Sequence, residues 1–124
     1  MKDLIIRQTE ESPEVNFKSN GEFLIKGVSI PENVSKFYSP LTDWLEEFKK
    51  NLTENIKLTF EIEYINTSTS RSFIDIAKKI ASFKEQGKNV KIIWRYVTDD
   101  EDNLDLGKDL EYSSKTEFVF EAFN

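Results

Sequence analysis

Five of the six residues from 67 to 72 carry a hydroxyl, in the stretch Asn66-Thr67-Ser68-Thr69-Ser70-Arg71-Ser72 that joins an alternating apolar run to an amphipathic one. Hydroxyls at such a junction can do two kinds of work. One Ser or Thr can cap the helix that starts here, accepting from an N–H group with no partner inside the helix. Hydroxyls also accept phosphoryl groups. A phosphate brings about −1.5 to −2 charges, and the free N–H groups and positive dipole end of a helix start favour it there. Arg71 supplies a cation that can pair with it. One cap explains one hydroxyl and leaves the run unexplained, although Ser and Thr are common in loops. On these residues alone a cap and a phosphorylation switch or phosphate site both stand.

Other candidate clusters carry less. Asp99-Asp100-Glu101-Asp102-Asn103 resembles half of a calcium loop, but Leu104 falls at the third ligand position and no Gly follows at the sixth. A solvated acidic turn that caps a helix is expected instead. Glu61 and Glu63 are alternate charges on one wet strand face, which assigns them no catalysis. Trp44 and Trp94 lie on apolar faces and read as core. The chain has no Cys and no His. Their absence removes Cys–His and Ser–His–Asp nucleophiles, thiolate or imidazole zinc sites, haem ligation by those residues and any disulfide framework. No cofactor is expected.

The elements that position these residues must come from one domain, 1–124, because 124 residues show no repeat and no Pro/Gly/Ser-rich linker. Acidic side chains outnumber basic ones 23 to 17, for a formal charge of −6, which argues against nucleic acid as a partner. Ten Phe residues must supply much of the buried area in a chain only 38% hydrophobic. Apolar runs are too short to cross a membrane, and Met1 to Arg7 holds no signal-type apolar region, so a cytoplasmic protein without membrane insertion is expected.

Hydrophobic period assigns the elements. Leu4 to Arg7 starts as a strand, and residues 14–18 and 22–27 form a hairpin about Asn20-Gly21. Asn33 or Ser35 caps a helix in which Val34, Phe37, Tyr38, Leu41, Trp44, Leu45 and Phe48 share a face. Pro40 falls inside that pattern, and the unbroken stripe favours a kink there over a new start. From 56 to 65 the period becomes two, with Ile56, Leu58, Phe60, Ile62 and Tyr64 inward. A helix over about 70–86 follows, stopped by Gly87, with Lys78, Lys79 and Lys84 suiting its C-terminal half. A strand at 90–97, a short helix at 104–111 and a last strand at 116–123 complete an α/β (α+β) pattern. The wet faces of strands 56–65 and 90–97 predict a two-layer sandwich, a mixed sheet of about five to six strands with helices mainly on one face.

Ile30-Pro31-Glu32-Asn33, Phe37-Tyr38-Ser39-Pro40, Asp43-Trp44-Leu45, Tyr64-Ile65-Asn66-Thr67-Ser68, Phe73-Ile74-Asp75-Ile76, Trp94-Arg95-Tyr96, Asp99-Asp100-Glu101-Asp102 and Leu106-Gly107 follow one another along nearly the whole chain. In that order and spacing they resemble the SiaC family of bacterial regulatory phosphoproteins. The resemblance implies a STAS-like fold, distantly similar to anti-sigma-factor antagonist domains, and a non-enzymatic switch. It also implies partners: a kinase, a PP2C-type phosphatase, and a diguanylate cyclase activated by the unmodified form. The family's phosphorylated threonine lies in an Asn-Thr-Ser segment, which matches Asn66-Thr67-Ser68 and carries the role to Thr67. Asn66, Ser68, Thr69, Ser70 and Arg71 would then serve recognition by kinase or partner. Ser68 or Thr69 can cap the helix, and Thr69 and Ser70 are rival hydroxyls for modification.

Three functions are thus weighed: a partner-switching phosphoprotein, an unmodified interaction module, and a small enzyme using a divalent ion at Asp99 to Asp105.

Overall fold

Residues 1–124 are described by a computed structural model. Strand β1 (Leu4–Ile6) pairs antiparallel with β2 (Glu14–Phe17), and β2 with β3 (Glu22–Ser29), setting Phe17 opposite Phe23. Gly21 makes the turn between the last two. Its φ is +99°, and a Cβ there would lie 2.3 Å from the carbonyl oxygen of Asn55, so both conformation and space require glycine.

Helix α1 (Val34–Phe48) begins where the Asn33 side chain accepts from the N–H of Lys36. It runs through Pro40 as one helix, with no second start. Tyr38, Leu41, Leu45 and Phe48 are buried, while Phe37 and Trp44 pack half-buried at the flank. Trp44 is therefore a fastening at the edge of the core: its Nε1 donates to the Lys2 carbonyl at 2.8 Å and ties down the N-terminus.

Strand β4 (Asn55–Ile65) leads to helix α2 (Thr67–Ala81), a 3₁₀ turn (Ser82–Gln86) and Gly87 at φ +80°. Strand β5 (Asn89–Val97), helix α3 (Glu101–Ser114) and strand β6 (Val119–Phe123) follow. The sheet order is β1-β2-β3-β4-β5-β6, parallel from β3 to β6. Each helix crosses between neighbouring parallel strands in sequence, and crossovers of one hand deliver all three helices to one face. The expected two-layer mixed α/β sandwich is therefore the observed architecture. Trp94, Phe17, Phe48, Phe60, Phe73 and Phe83 are fully buried between the layers. Across the uncovered face Glu14, Lys26, Glu61, Arg95 and Glu121 lie in register, and Glu61 bonds both Lys26 (3.3 Å) and Arg95 (2.5 Å).

The facing of β4 and the start of α3 differ from expectation for physical reasons. Gly27 pairs with Ile62 but Val28 pairs with Tyr64, so Glu63 is an extra residue in β4. That bulge reverses the alternation: Tyr64, expected inward, is 61% exposed, and Ile65 is buried instead. α3 begins at Glu101 rather than 104, because the Asp100 side chain accepts from the N–H of Asn103 and caps it there.

Candidate functional site

The hydroxyl-rich segment is not a loop. Asn66 is the N-cap of α2, and residues 67–72 are its first turns. The Asn66 Oδ1 accepts from the Thr69 N–H (3.0 Å), the Thr69 hydroxyl (2.7 Å) and the Ser68 hydroxyl (3.1 Å). Capping, expected of Ser68 or Thr69, falls to Asn66 because its longer side chain reaches back over the turn from a residue still in extended conformation. The helix consequently starts at Thr67, three residues earlier than its apolar stripe indicates.

Burial then sorts the hydroxyls. Thr69 is 0% exposed and pointed into the protein, where it meets Ser29 at the end of β3. Ser29 in turn meets the hydroxyl of Tyr38 on α1 at 2.6 Å. These contacts form one buried hydrogen-bonded chain from Tyr38 through Ser29 to Thr69, whose hydroxyl is in reach of both the Asn66 Oδ1 and the Ser29 carbonyl as acceptors. Burial pushes the Tyr38 phenol well above its ordinary pKa and keeps it protonated, opposed in part by the hydrogen bond with Ser29. Among the residues expected to serve recognition, Thr69 is thus set apart: its hydroxyl is buried and engaged by Ser29 and Asn66. Thr67 and Ser68 are exposed, and Ser70 is half-buried.

Thr67 lines an open cleft of about 500 Å³ together with Tyr64, Asn66, Ser70 and, from the start of α3, Asp100 and Asp102. The bulge residue Glu63 and Leu106 complete its walls. α3 is held there by Asn103, whose Nδ2 donates to the Ile62 carbonyl (2.7 Å) and whose Oδ1 accepts from Trp94 Nε1 (3.0 Å). Sequence spacing does not bring α3 to Thr67; the adjacency of β4 and β5 does. Two helix N-termini thus face one cleft, offering free N–H groups, while three carboxylates on its walls oppose a second negative group. Arg71 lies one turn beyond Thr67 on the same helix face, its side chain 81% exposed and paired with Asp75 at 3.4 Å.

Asp100 is engaged as a cap, and no group of three or more Asp or Glu side chains converges to hold a metal ion. The acidic segment acts as a wall of the cleft.

Comparison with known proteins identifies the family. A family profile described as SiaC family regulatory phosphoprotein matches residues 6–123. The crystal structure of apo-SiaC from Pseudomonas aeruginosa superposes with a TM-score of 0.86 at 26% identity, covering 98% of this chain and 100% of that one. The complex of diguanylate cyclase SiaD with its activator SiaC, from the same organism, contains a chain matching at a TM-score of 0.89 and 24% identity, over 98% of this chain and 100% of that one. A curated relative, an uncharacterized protein of Pseudomonas aeruginosa (strain UCBPP-PA14), is 25% identical over 123 residues, 98% of either chain. With nearly its whole length matched, this chain belongs to the SiaC family of regulatory phosphoproteins.

Proposed function

We propose that this protein is a non-enzymatic, cytoplasmic partner switch whose state is set by reversible phosphorylation of Thr67. A partner kinase adds the phosphate and a PP2C-type phosphatase removes it. The unmodified form binds a signalling enzyme, and the activation of a diguanylate cyclase by the similar SiaC makes such a cyclase the first candidate. The observation carrying this reading is the division of labour in one helical turn: Asn66 caps, Thr69 is buried, and Thr67 is left exposed with no structural hydrogen bond of its own.

The switch works locally. A phosphate at the first residue of α2 keeps the helix start intact, since the dipole favours negative charge there. Glu63, Asp100 and Asp102 repel it, so it turns outward to Arg71 and draws that side chain from Asp75. The outcome is a bulky dianion across the cleft mouth, where a partner presenting carboxylates or apolar surface no longer seats.

Incubation with the partner kinase and ATP, followed by mass spectrometry, tests the assignment. Modification is expected on Thr67 and is abolished in Thr67→Ala; persistence of the label in that variant overturns it.

A further inference from the structure

Lys57 and Lys91 stand directly opposite each other on the paired strands β4 and β5. With Lys84 and Lys88 they rim an open cleft of about 530 Å³ at the end of the sheet where β4 and β5 begin. Asn55 and Asn89 line it too, the Asn89 Nδ2 donating to the Asn55 Oδ1 at 3.1 Å. Glu22 is the one acidic residue lining it. Lys57 pairs with Glu22 at 3.4 Å and Lys88 with Glu54 at 3.7 Å, whereas Lys84 and Lys91 make no ion pair.

This arrangement opposes folding. Like charges in register on neighbouring strands repel, and the chain has 23 acidic side chains with which to offset them. Elsewhere the same sheet does so: the Glu14, Lys26, Glu61, Arg95, Glu121 row alternates in sign across five strands. A helix C-terminus accounts for Lys84 at most. Glu22 and Glu54 offset Lys57 and Lys88, but Lys91, directly opposite Lys57, has no partner, and the cleft gathers four lysines against one acidic lining residue in a chain of net charge −6. Places where a sequence departs from local rules without structural gain are where function is to be sought.

We propose that this cleft docks a short acidic segment of a protein partner, independently of Thr67. The chemistry selects the occupant. No arginine lines the cleft to bind a phosphate bidentately, and no aromatic ring lines it to stack a base. Lysines are mobile point charges suited to carboxylates. Outside the cleft the chain is more acidic still than its net charge, which repels a long polyanion but leaves room for a few carboxylates. The cleft and Thr67 lie at opposite ends of β4, roughly 30 Å apart at ~3.3 Å per residue. That distance is several times the ~8 Å Debye length of physiological salt, so a partner docked here is held whatever the state of Thr67.

The test titrates an octa-glutamate peptide into the full ¹⁵N-labelled chain. Amide shifts are expected at residues 55–57 and 84–91, with affinity falling about tenfold between ~50 and ~300 mM salt. The double variant Lys84→Glu/Lys91→Glu is expected to lose about tenfold or more in affinity, and Thr67→Asp to leave it unchanged. Both lysines are exposed, so the fold should persist; Lys84→Gln/Lys91→Gln, read against circular dichroism, serves if it does not. Unchanged affinity in the folded variant overturns the proposal. So do shifts centred on residues 63–71, tighter binding of pyrophosphate at the same residues, and concentration-dependent self-association lost in the variant, which would make a second copy the occupant.

Discussion

Thr67 and Thr69 are two residues apart and chemically identical, yet the first faces solvent while the second is sealed against Ser29. Asn66 separates their roles, so its removal should be felt in stability rather than in the site of modification. Asn66→Ala is expected to destabilise the fold by about 1–2 kcal/mol in urea denaturation, the usual range for a lost N-cap with a buried partner. Thr67→Ala, which removes only an exposed hydroxyl, should stay within ~0.5 kcal/mol of the parent. Tyr38 heads the same chain and supplies a pH signature. Its folded-state pKa lies above that of the unfolded chain, so the stabilisation is complete below about pH 10 and declines above it, where the unfolded chain loses a proton that the folded one keeps. Tyr38→Phe should remove about 1 kcal/mol at neutral pH. It should also flatten the alkaline decline relative to the parent, as measured by thermal melts from pH 7 to beyond about pH 10.

At the scale of elements, the site depends on α3 lying close against β5. Gly107 permits this: a Cβ there would approach the Trp94 indole to 2.6 Å, and Trp94 is fully buried. Gly107→Ala should therefore displace the first turns of α3 and cost about 1–3 kcal/mol. A shift in Trp94 fluorescence and a lower urea midpoint would register it. Pro40 poses the opposite case. It is exposed in the interior of α1, where it removes one backbone hydrogen bond without packing in the core. Pro40→Ala should raise stability by about 1–3 kcal/mol, since the helix then regains a donor to the Lys36 carbonyl. A lower melting temperature in that variant would instead assign Pro40 a packing role.

Over the whole molecule, a single phosphate is a small addition to a chain of net charge −6. A switch at Thr67 must act through the shape and charge of one cleft between two helix starts. On the proposed reading, capture of a diguanylate cyclase on immobilised protein should accordingly be lost in Thr67→Asp and retained in Thr67→Ala, with both variants melting near the parent. Equal capture by the two would favour an unmodified interaction module. The lysine cleft lies at the far end of the same strands, so the sheet separates the two proposed surfaces.

Periodicity determined the order of strands and helices and the one-sided packing of helices, because each follows from which side chains must leave water locally, and the turn pair Asn20-Gly21 determined the hairpin. The Asn-Thr-Ser segment and its family resemblance were equally legible, since both are contiguous in sequence. Tertiary structure decided the rest. Tyr64 turned outward because a bulge at Glu63 fits β4 to Gly27 and Val28, residues in another strand. Thr69 was buried by Ser29, 40 residues earlier, and the cleft gained its acidic wall from α3. Strand register set Lys57 beside Lys91, and the end of the same sheet brought Lys84 to the cleft they share. Burial and charge density at a site are sums over neighbours in space, and a single chain read in order holds no record of which neighbours those are.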